Sequence, residues 1–214
     1  MTLGEIQKQI NQRHGAIYAQ SSIYNWIVRF SKSANEQAKS FLPKTGSTWL
    51  LVREPRETDS KKIYFYDVFD IETRFLLASS VSESRQEMRN ILNKASAKVK
   101  ITRDQSVTVI FSGDFKTNRF IKSMEKVKTN PNMTFVNLDE SHNGKQFQLI
   151  LKSRKNIVRG FKNMGTAQIL TEAWQVHYNF IGRNESTGHI PPAMKMGKVP
   201  FKNWTEAINR SVKA

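Results

Sequence analysis

The sequence predicts an α/β protein in which a pair of short helices precedes a five-stranded mixed sheet with flanking helices. Three observations support this fold class. Apolar residues recur at helical spacing in the first 30 residues, the composition changes at Thr48, and aromatic and β-branched runs then alternate with helical segments. The predicted order of the second part is three strands, helix, strand, helix, strand and helix.

Two short helices are predicted at the N-terminus. Leu3, Ile6 and Ile10 lie at helical spacing in the first, and a polar, glycine-containing connection follows. Ser21 or Ser22 is predicted to cap the second helix. The inner face of that helix is expected to hold Ile23, Trp26, Ile27 and Phe30. Two helices joined in this way are typical of a helix-turn-helix, and equally of an amphipathic hairpin that only packs.

Changes of composition divide the chain further. Residues 31–47 are polar and contain Pro43 and Gly46, which is typical of a linker. We therefore expect a helix-turn-helix domain at 1–32, a linker at 33–47, an α/β core at 48–190 and a tail with a short helix at 191–214.

Five short apolar segments predict the strands of the core. They are TWLLVRE from Thr48, KIYFYDVFD at 62–70, TRFLLASSV at 73–81, VTVIFS at 107–112 and MTFVNL at 133–138. Short connections between the first three favour an antiparallel meander. Helices are expected after residue 82, around 115–127, and from about 144 to 182 with a break near Gly165.

The charge balance indicates a polyanionic partner. Lys and Arg number 34 against 18 Asp and Glu, which gives a formal net charge of +16. Nucleic acid is the first candidate and an anionic membrane surface the second, since release of counterions favours phosphate binding. The alternative is charge that serves solubility alone. There are no cysteines, which excludes disulfides and thiolate zinc sites. No apolar run reaches transmembrane length and the start lacks a signal-peptide core, so we expect an intracellular protein.

Several segments, taken in order, resemble one known family. IYNWIVRFSK is similar to a recognition helix, and TWLLVRE with DVFDIETRFLLASSVSESR is similar to a Trp-x-x-Asp strand followed by an Asp-x-x-Thr-Arg turn. KSRKNIVRGFKNMGTAQIL and WQVHYNFI are similar to an Arg-Gly-Phe-Lys segment and a His-Tyr-Asn-Phe helix. Together, over nearly the whole chain, they resemble DDE transposases of prokaryotic, archaeal-type insertion sequences. The resemblance implies a ribonuclease-H-like, integrase-type core.

The chemistry of that family uses three carboxylates that hold two divalent cations. Counting from Trp49 places the first at Val52, and the glycine after the fourth strand places the second at Ser112. Counting back from Arg159 places the third at Lys145. A valine, a hydroxyl and an ammonium do not hold two cations. We therefore predict a protein that is not an enzyme and has no catalytic residue, metal or cofactor.

Nearby acids leave an alternative open. Relocated ligands would be Glu54 or Glu57 for the first, Asp114 for the second, and Asp139 or Glu140 for the third. An active transposase or nuclease would then result. We disfavour it because metal ligands must converge closely. Asp70 is predicted to belong to a turn.

The predicted DNA-binding residues form two sets. The first, on and beside the second helix, is Arg13, Ser21, Ser22, Tyr24, Asn25, Arg29 and Lys32. The second, in a stretch without acids that lies beside the nucleic-acid groove in the related transposases, is Lys145, Lys152, Arg154, Lys155, Arg159 and Lys162. Lys145 would place a fixed positive charge where a metal-binding acid is expected.

These observations predict a catalytically inactive, transposase-derived protein that binds double-stranded DNA. It would act in the cytoplasm on the chromosome, as a nucleoid-associated, chromatin or transcription-regulatory factor, without membrane binding. The resemblance is compatible with a homodimer, since the related enzymes act as multimers. Besides the active nuclease, an RNA-binding or scaffold protein is the other alternative.

Overall fold

The computed structural model describes residues 3–57, 62–84, 87–99, 105–113, 133–137, 164–183, 187–197 and 199–212. The α-helices within these ranges are α1 (Leu3–His14), α2 (Gln20–Lys39), α3 (Glu87–Val99), α4 (Met164–Val176) and α5 (Trp204–Val212). The strands are β1 (Thr48–Glu57), β2 (Lys62–Asp70), β3 (Leu76–Ser82), β4 (Val107–Gly113) and β5 (Met133–Asn137). A π-helical turn, His177–Ile181, continues α4, and a 3₁₀ helix covers Pro192–Met196.

The strands form one five-stranded mixed sheet in the order β3-β2-β1-β4-β5. β1, β2 and β3 pair in antiparallel fashion, whereas β4 pairs in parallel with both β1 and β5. The α/β class, the mixed sheet and the antiparallel meander predicted from the sequence are confirmed. α3 lies between β3 and β4 in the chain and supplies the crossover that a parallel partner of β1 requires. The helix-turn-helix and ribonuclease-H-like assignments stay predictions.

Both faces of the central strands are buried. Trp49 and Leu51 of β1 join the main core with residues of α2 and α3, whereas Leu50 and Val52 pack on the opposite face against Trp174 of α4. Successive side chains of a strand point to opposite faces, so a strand covered on both sides needs an almost continuous apolar run. The run KIYFYDVFD of β2 meets that need and is buried throughout after Lys62.

α2 differs from its prediction at both ends. It begins after Ala19, which makes no side-chain capping hydrogen bond, so the prediction that Ser21 or Ser22 caps the helix is wrong. Both serines lie inside the first turn because the backbone N–H of Ser22 already donates to Ala19 O. At its other end α2 continues to Lys39, into the expected linker, because Ala34 and Ala38 pack in the main core one turn apart.

α4 covers the β3 edge of the sheet. Gln168, Gln175 and Asn179 lie on one side of α4 and its π-helical continuation, and their amides bond to the backbone of β3, an edge strand. Asn179 accepts from Leu76 N at 2.9 Å and donates to Leu76 O at 2.8 Å. The side-chain amides thus stand where a neighbouring strand would otherwise pair, which protects the edge from pairing with another chain.

Two predicted elements lie outside the described residues. They are the helix around 115–127 and the part of the last long helix from 144 to 163. α4 and the π-helical turn correspond to the remainder of that long helix.

Lys98 of α3 is held against the C-terminal end of α2. Its Nζ donates to Ala38 O at 2.7 Å and lies 3.4 Å from Lys39 O. A cation at this end of a helix interacts favourably with the partial negative charge of the carbonyls. Burial nevertheless lowers the pKa of Lys98 from 10.5 to about 8. Below pH 8 the fold therefore bears the cost of a desolvated ammonium, which deprotonation relieves.

Replacing Asn179 by alanine should lower the free energy of unfolding by about 2 kcal/mol, because Leu76 N then loses its acceptor in a buried site. Asn93→Ala, at an exposed position of α3, is the matched control and should change it by no more than about 0.5 kcal/mol. Urea unfolding followed by circular dichroism measures both. Equal effects of the two substitutions would show that the amide contacts do not stabilise the edge.

Replacing Lys98 by methionine should change how stability depends on pH. In the wild type the unfolded chain binds more protons at this site than the folded chain between about pH 8 and 10.5. The free energy of unfolding should therefore rise across that window, by less than about 1.4 kcal/mol per pH unit, because solvent screens this half-buried group. The variant should lack this rise, and Lys94→Met on the same helix should keep it. Urea unfolding at intervals from pH 7 to pH 10.5 tests the difference, and parallel curves for all three proteins would refute it.

Candidate functional site

Two of the three predicted catalytic positions lie side by side in the sheet. Val52 of β1 is the register partner of Ser112 in the parallel strand β4. On its other side Val52 is the partner of Asp67 in the antiparallel strand β2, and Asp67 in turn pairs with Ser79 of β3. The row Ser112, Val52, Asp67 and Ser79 therefore crosses four neighbouring strands. The third predicted position, Lys145, lies outside the described residues.

The surroundings of Val52 are apolar. Its side chain is 3% exposed and packs in a cluster with Leu50, Phe69 and Leu76, over which Trp174 and Tyr178 lie. The apolar side chains of this cluster supply no carboxylate for a cation, whereas Asp67, the register partner of Val52, carries one. Among the described residues no group of three His, Cys, Asp or Glu side chains is placed to hold a metal ion. Of the alternative acids, Glu54 is half-buried two residues further along β1.

Asp67 is a buried carboxylate that the sequence analysis did not select. It is 2% exposed, and Ser79 Oγ donates to its Oδ1 at 2.5 Å. Register partners in antiparallel strands share a face, so Asp67 and Val52 lie on the same face of the sheet. The available signal was an acid in the middle of the apolar run of β2, where burying a charge without partners would be costly.

Asp70, predicted to belong to a turn, is the last residue of β2, and its carboxylate bonds to the turn that follows. Its Oδ1 accepts from Gly46 N at 2.9 Å, and its Oδ2 accepts from Thr73 N at 2.8 Å and from Thr73 Oγ1 at 2.5 Å. Burial raises the pKa of Asp70 above its usual value, and the hydrogen bonds from Thr73 and Gly46 act in the opposite direction. All of these contacts hold the β2–β3 connection and the approach to β1.

Hydrogen bonds fix the connection between α1 and α2. Gly15 has a positive φ of 62°, and its N–H donates to Asn11 O, which ends α1 in the way common for helices. Asn11 Oδ1 then accepts from Tyr18 N at 3.0 Å, and Gln7 Nε2 donates to Tyr18 O at 2.7 Å. The turn before α2 is thus attached to the side of α1.

The predicted inner face of α2 is only partly covered. Ile23 is buried, but Trp26 is 37% exposed and meets Tyr18 edge-on, with ring centroids 5.1 Å apart. The expectation that Trp26 points inward is therefore wrong, because the turn places Tyr18 beside it instead of a core residue. Ile17, at the tip of the turn, is 95% exposed.

The structure brings four of the predicted DNA-binding residues onto one exposed face of α2, called here the α2 stripe. They are Ser21, Asn25, Arg29 and Lys32, and their spacing of four, four and three residues keeps them on one side of a helix. Ser22 and Tyr24 are half-buried, and Arg13 is exposed in the last turn of α1. The stripe therefore presents two cations and two small polar side chains to solvent.

The second predicted set, Lys145, Lys152, Arg154, Lys155, Arg159 and Lys162, lies outside the described residues. Its part in binding stays a prediction. None of the helices in the described ranges is long and apolar enough to cross a bilayer.

Comparison with known proteins identifies a weak structural similarity and no related family. No protein-family model and no curated protein matches the chain. Among solved structures, it is similar to a chain in the cryo-EM structure of the simian T-cell lymphotropic virus intasome in complex with PP2A regulatory subunit B56 gamma, with a TM-score of 0.43 and 10% sequence identity. The match covers 73% of this chain and 58% of that one, so this chain spans less than two thirds of its length. The similarity is weak, concerns the fold, and does not place the chain in a family.

Proposed function

We propose that the chain is a catalytically inactive, transposase-derived protein that binds double-stranded DNA through the α2 stripe and acts as a nucleoid-associated or regulatory factor. The observation that carries the proposal is the exposure of Ser21, Asn25, Arg29 and Lys32 on one side of a single helix. Cations contact phosphates, and asparagine can read adenine in the major groove, so such a face has the chemistry of a DNA contact surface.

The net charge of +16 supports the same partner. Phosphate binding by a basic protein gains free energy from released counterions and weakens steeply as salt is added. A protein with this charge repels its own copies in solution, and a polyanion relieves that repulsion.

The proposed absence of catalysis is supported by the apolar cluster around Val52. A two-metal mechanism needs oxygen ligands facing a common, hydrated point, whereas Val52 packs under Trp174 and Tyr178 in an apolar cluster. The transposase ancestry rests on the sequence motifs. The observed order of an antiparallel meander, a helix and parallel strands is compatible with the ribonuclease-H-like core that those motifs imply.

Reversing both charges of the stripe should weaken DNA binding. Arg29→Glu with Lys32→Glu should reduce the affinity for all duplex sequences and lower the slope of log K against log salt by about 2, since two phosphate contacts are lost. Gel shifts of a random-sequence duplex at graded salt measure both quantities. Lys195→Glu with Lys202→Glu, at exposed positions elsewhere, makes the same change of net charge and is the matched control. If both double variants lose affinity equally, the stripe is not the contact surface.

One observation favours the rival function of an active nuclease, namely the carboxylate of Asp67 beside Val52. We expect no nicking of supercoiled plasmid by the purified protein with magnesium or manganese. Metal-dependent nicking that disappears in Asp67→Asn would establish the rival. Competition between duplex DNA and RNA of equal length distinguishes the proposed DNA binding from the RNA-binding alternative, because only a DNA-binding protein should prefer the DNA.

A further inference from the structure

A cavity of about 850 Å³ lies between α2, α3, α4 and β3. Its floor is formed by the buried side chains of Phe75, Leu77, Ala78, Val176 and Phe180. The volume and the predominantly apolar lining are typical of sites for small organic ligands. Of the α2 stripe, only Lys32 reaches the rim of this cavity.

The rim of the cavity is cationic. It carries Lys32, Lys39, Lys94 and Lys98 against the two acids Glu36 and Glu172. Glu36 already pairs with Lys39 at 2.6 Å. The two carboxylate oxygens of Glu172 accept from Gln168 at 2.8 Å and from Asn35 at 3.4 Å. In the part of the chain that the structure describes, the acids of the rim are thus already engaged, and no ion pair neutralises Lys94 or Lys98.

Lys98 lines the cavity and retains one N–H donor beyond its two backbone contacts. An ammonium has three protons, and Lys98 directs two of them toward the backbone oxygens of Ala38 and Lys39. Desolvation is what lowers the pKa of Lys98 to about 8. A half-buried cation of this kind is stabilised when an anion comes within hydrogen-bond distance.

We propose that this cavity binds a small organic anion that combines one compact acidic group with an apolar body. The acidic group would contact Lys98 and Lys94, and the body would cover Phe75, Leu77 and Phe180. A bare phosphate would match the cationic rim but leave the apolar floor facing water. An uncharged ligand would cover the floor but bury Lys98 further without neutralising it. The proposal goes beyond DNA binding and does not depend on it.

A matched pair of fluorescent probes tests the proposal on the full chain. 8-Anilinonaphthalene-1-sulfonate has an apolar body and an acidic group, and N-phenyl-1-naphthylamine has the same body without the charge. The sulfonate should bind to one saturable site. Lys98→Met should weaken its binding by about tenfold, the effect of losing about 1.4 kcal/mol, and should change the affinity of the neutral probe by less than about twofold.

Three further variants make the experiment independent of the role of Lys98 at the end of α2. Lys94→Gln, at an exposed position of the rim, should weaken the binding of the sulfonate but not of the neutral probe. Lys202→Gln, at an exposed position that does not line the cavity, should change neither. Ala97→Phe places a ring at the mouth and should reduce the binding of both probes. Circular dichroism establishes that each variant is folded.

Displacement of the sulfonate distinguishes the sources of the ligand. Displacement by decanoate indicates a fatty-acid-like ligand, and displacement by 1-naphthoate indicates an aromatic carboxylate. Unchanged sulfonate affinity in both lysine variants, or binding to many weak sites that Ala97→Phe does not reduce, would overturn the proposal. None of these readouts involves DNA, so failure here and failure of the DNA-binding proposal are separate results.

Discussion

Side-chain amides of α4 and of its π-helical continuation form hydrogen bonds to the backbone of β3. These bonds determine where much of the rest of the molecule lies. Backbone groups at a buried sheet edge need partners, and here Gln168, Gln175 and Asn179 supply them from one helix. Their spacing sets the rotation of α4 about its axis. That rotation places Trp174 and Tyr178 over Val52, and Tyr178 Oη donates to Arg74 O in the turn after β2. The same contacts also place Val176 and Phe180 at the floor of the cavity.

The sequence predicted the strands well because their signal is local. Aromatic and β-branched residues concentrate in β1, β2 and β3. The register between β1 and β4 pairs Val52, the position counted from Trp49, with Ser112, the position before the glycine of the fourth strand. A strand buried on both faces has no alternation of polar and apolar residues, however. For that reason the sequence could not tell which face Asp67 occupies, or that it lies beside Val52.

The length of α2 and the cavity were beyond prediction for different reasons. Beyond Arg29 the helix is polar except for small residues and Phe30, so its core contact rests on Ala34 and Ala38, which are too small to give a strong periodic signal. The cavity is assembled from four elements, and Lys98 and Glu172 come together only in the folded chain. The proximity of these residues cannot be predicted from their spacing along the sequence. The predicted residues of α2, in contrast, needed only one helix, and those at positions 21, 25, 29 and 32 do share its exposed side.

α2 is continuous over 20 residues and is about 30 Å long. Its first half carries Asn25 and Arg29 into solvent, and its second half is packed into the core through Ala34 and Ala38. One uninterrupted helix therefore links the exposed residues to the core, with no loop between them. On the proposed function, the distance between two DNA segments held by two copies would then depend on how the cores of the two copies pack against each other.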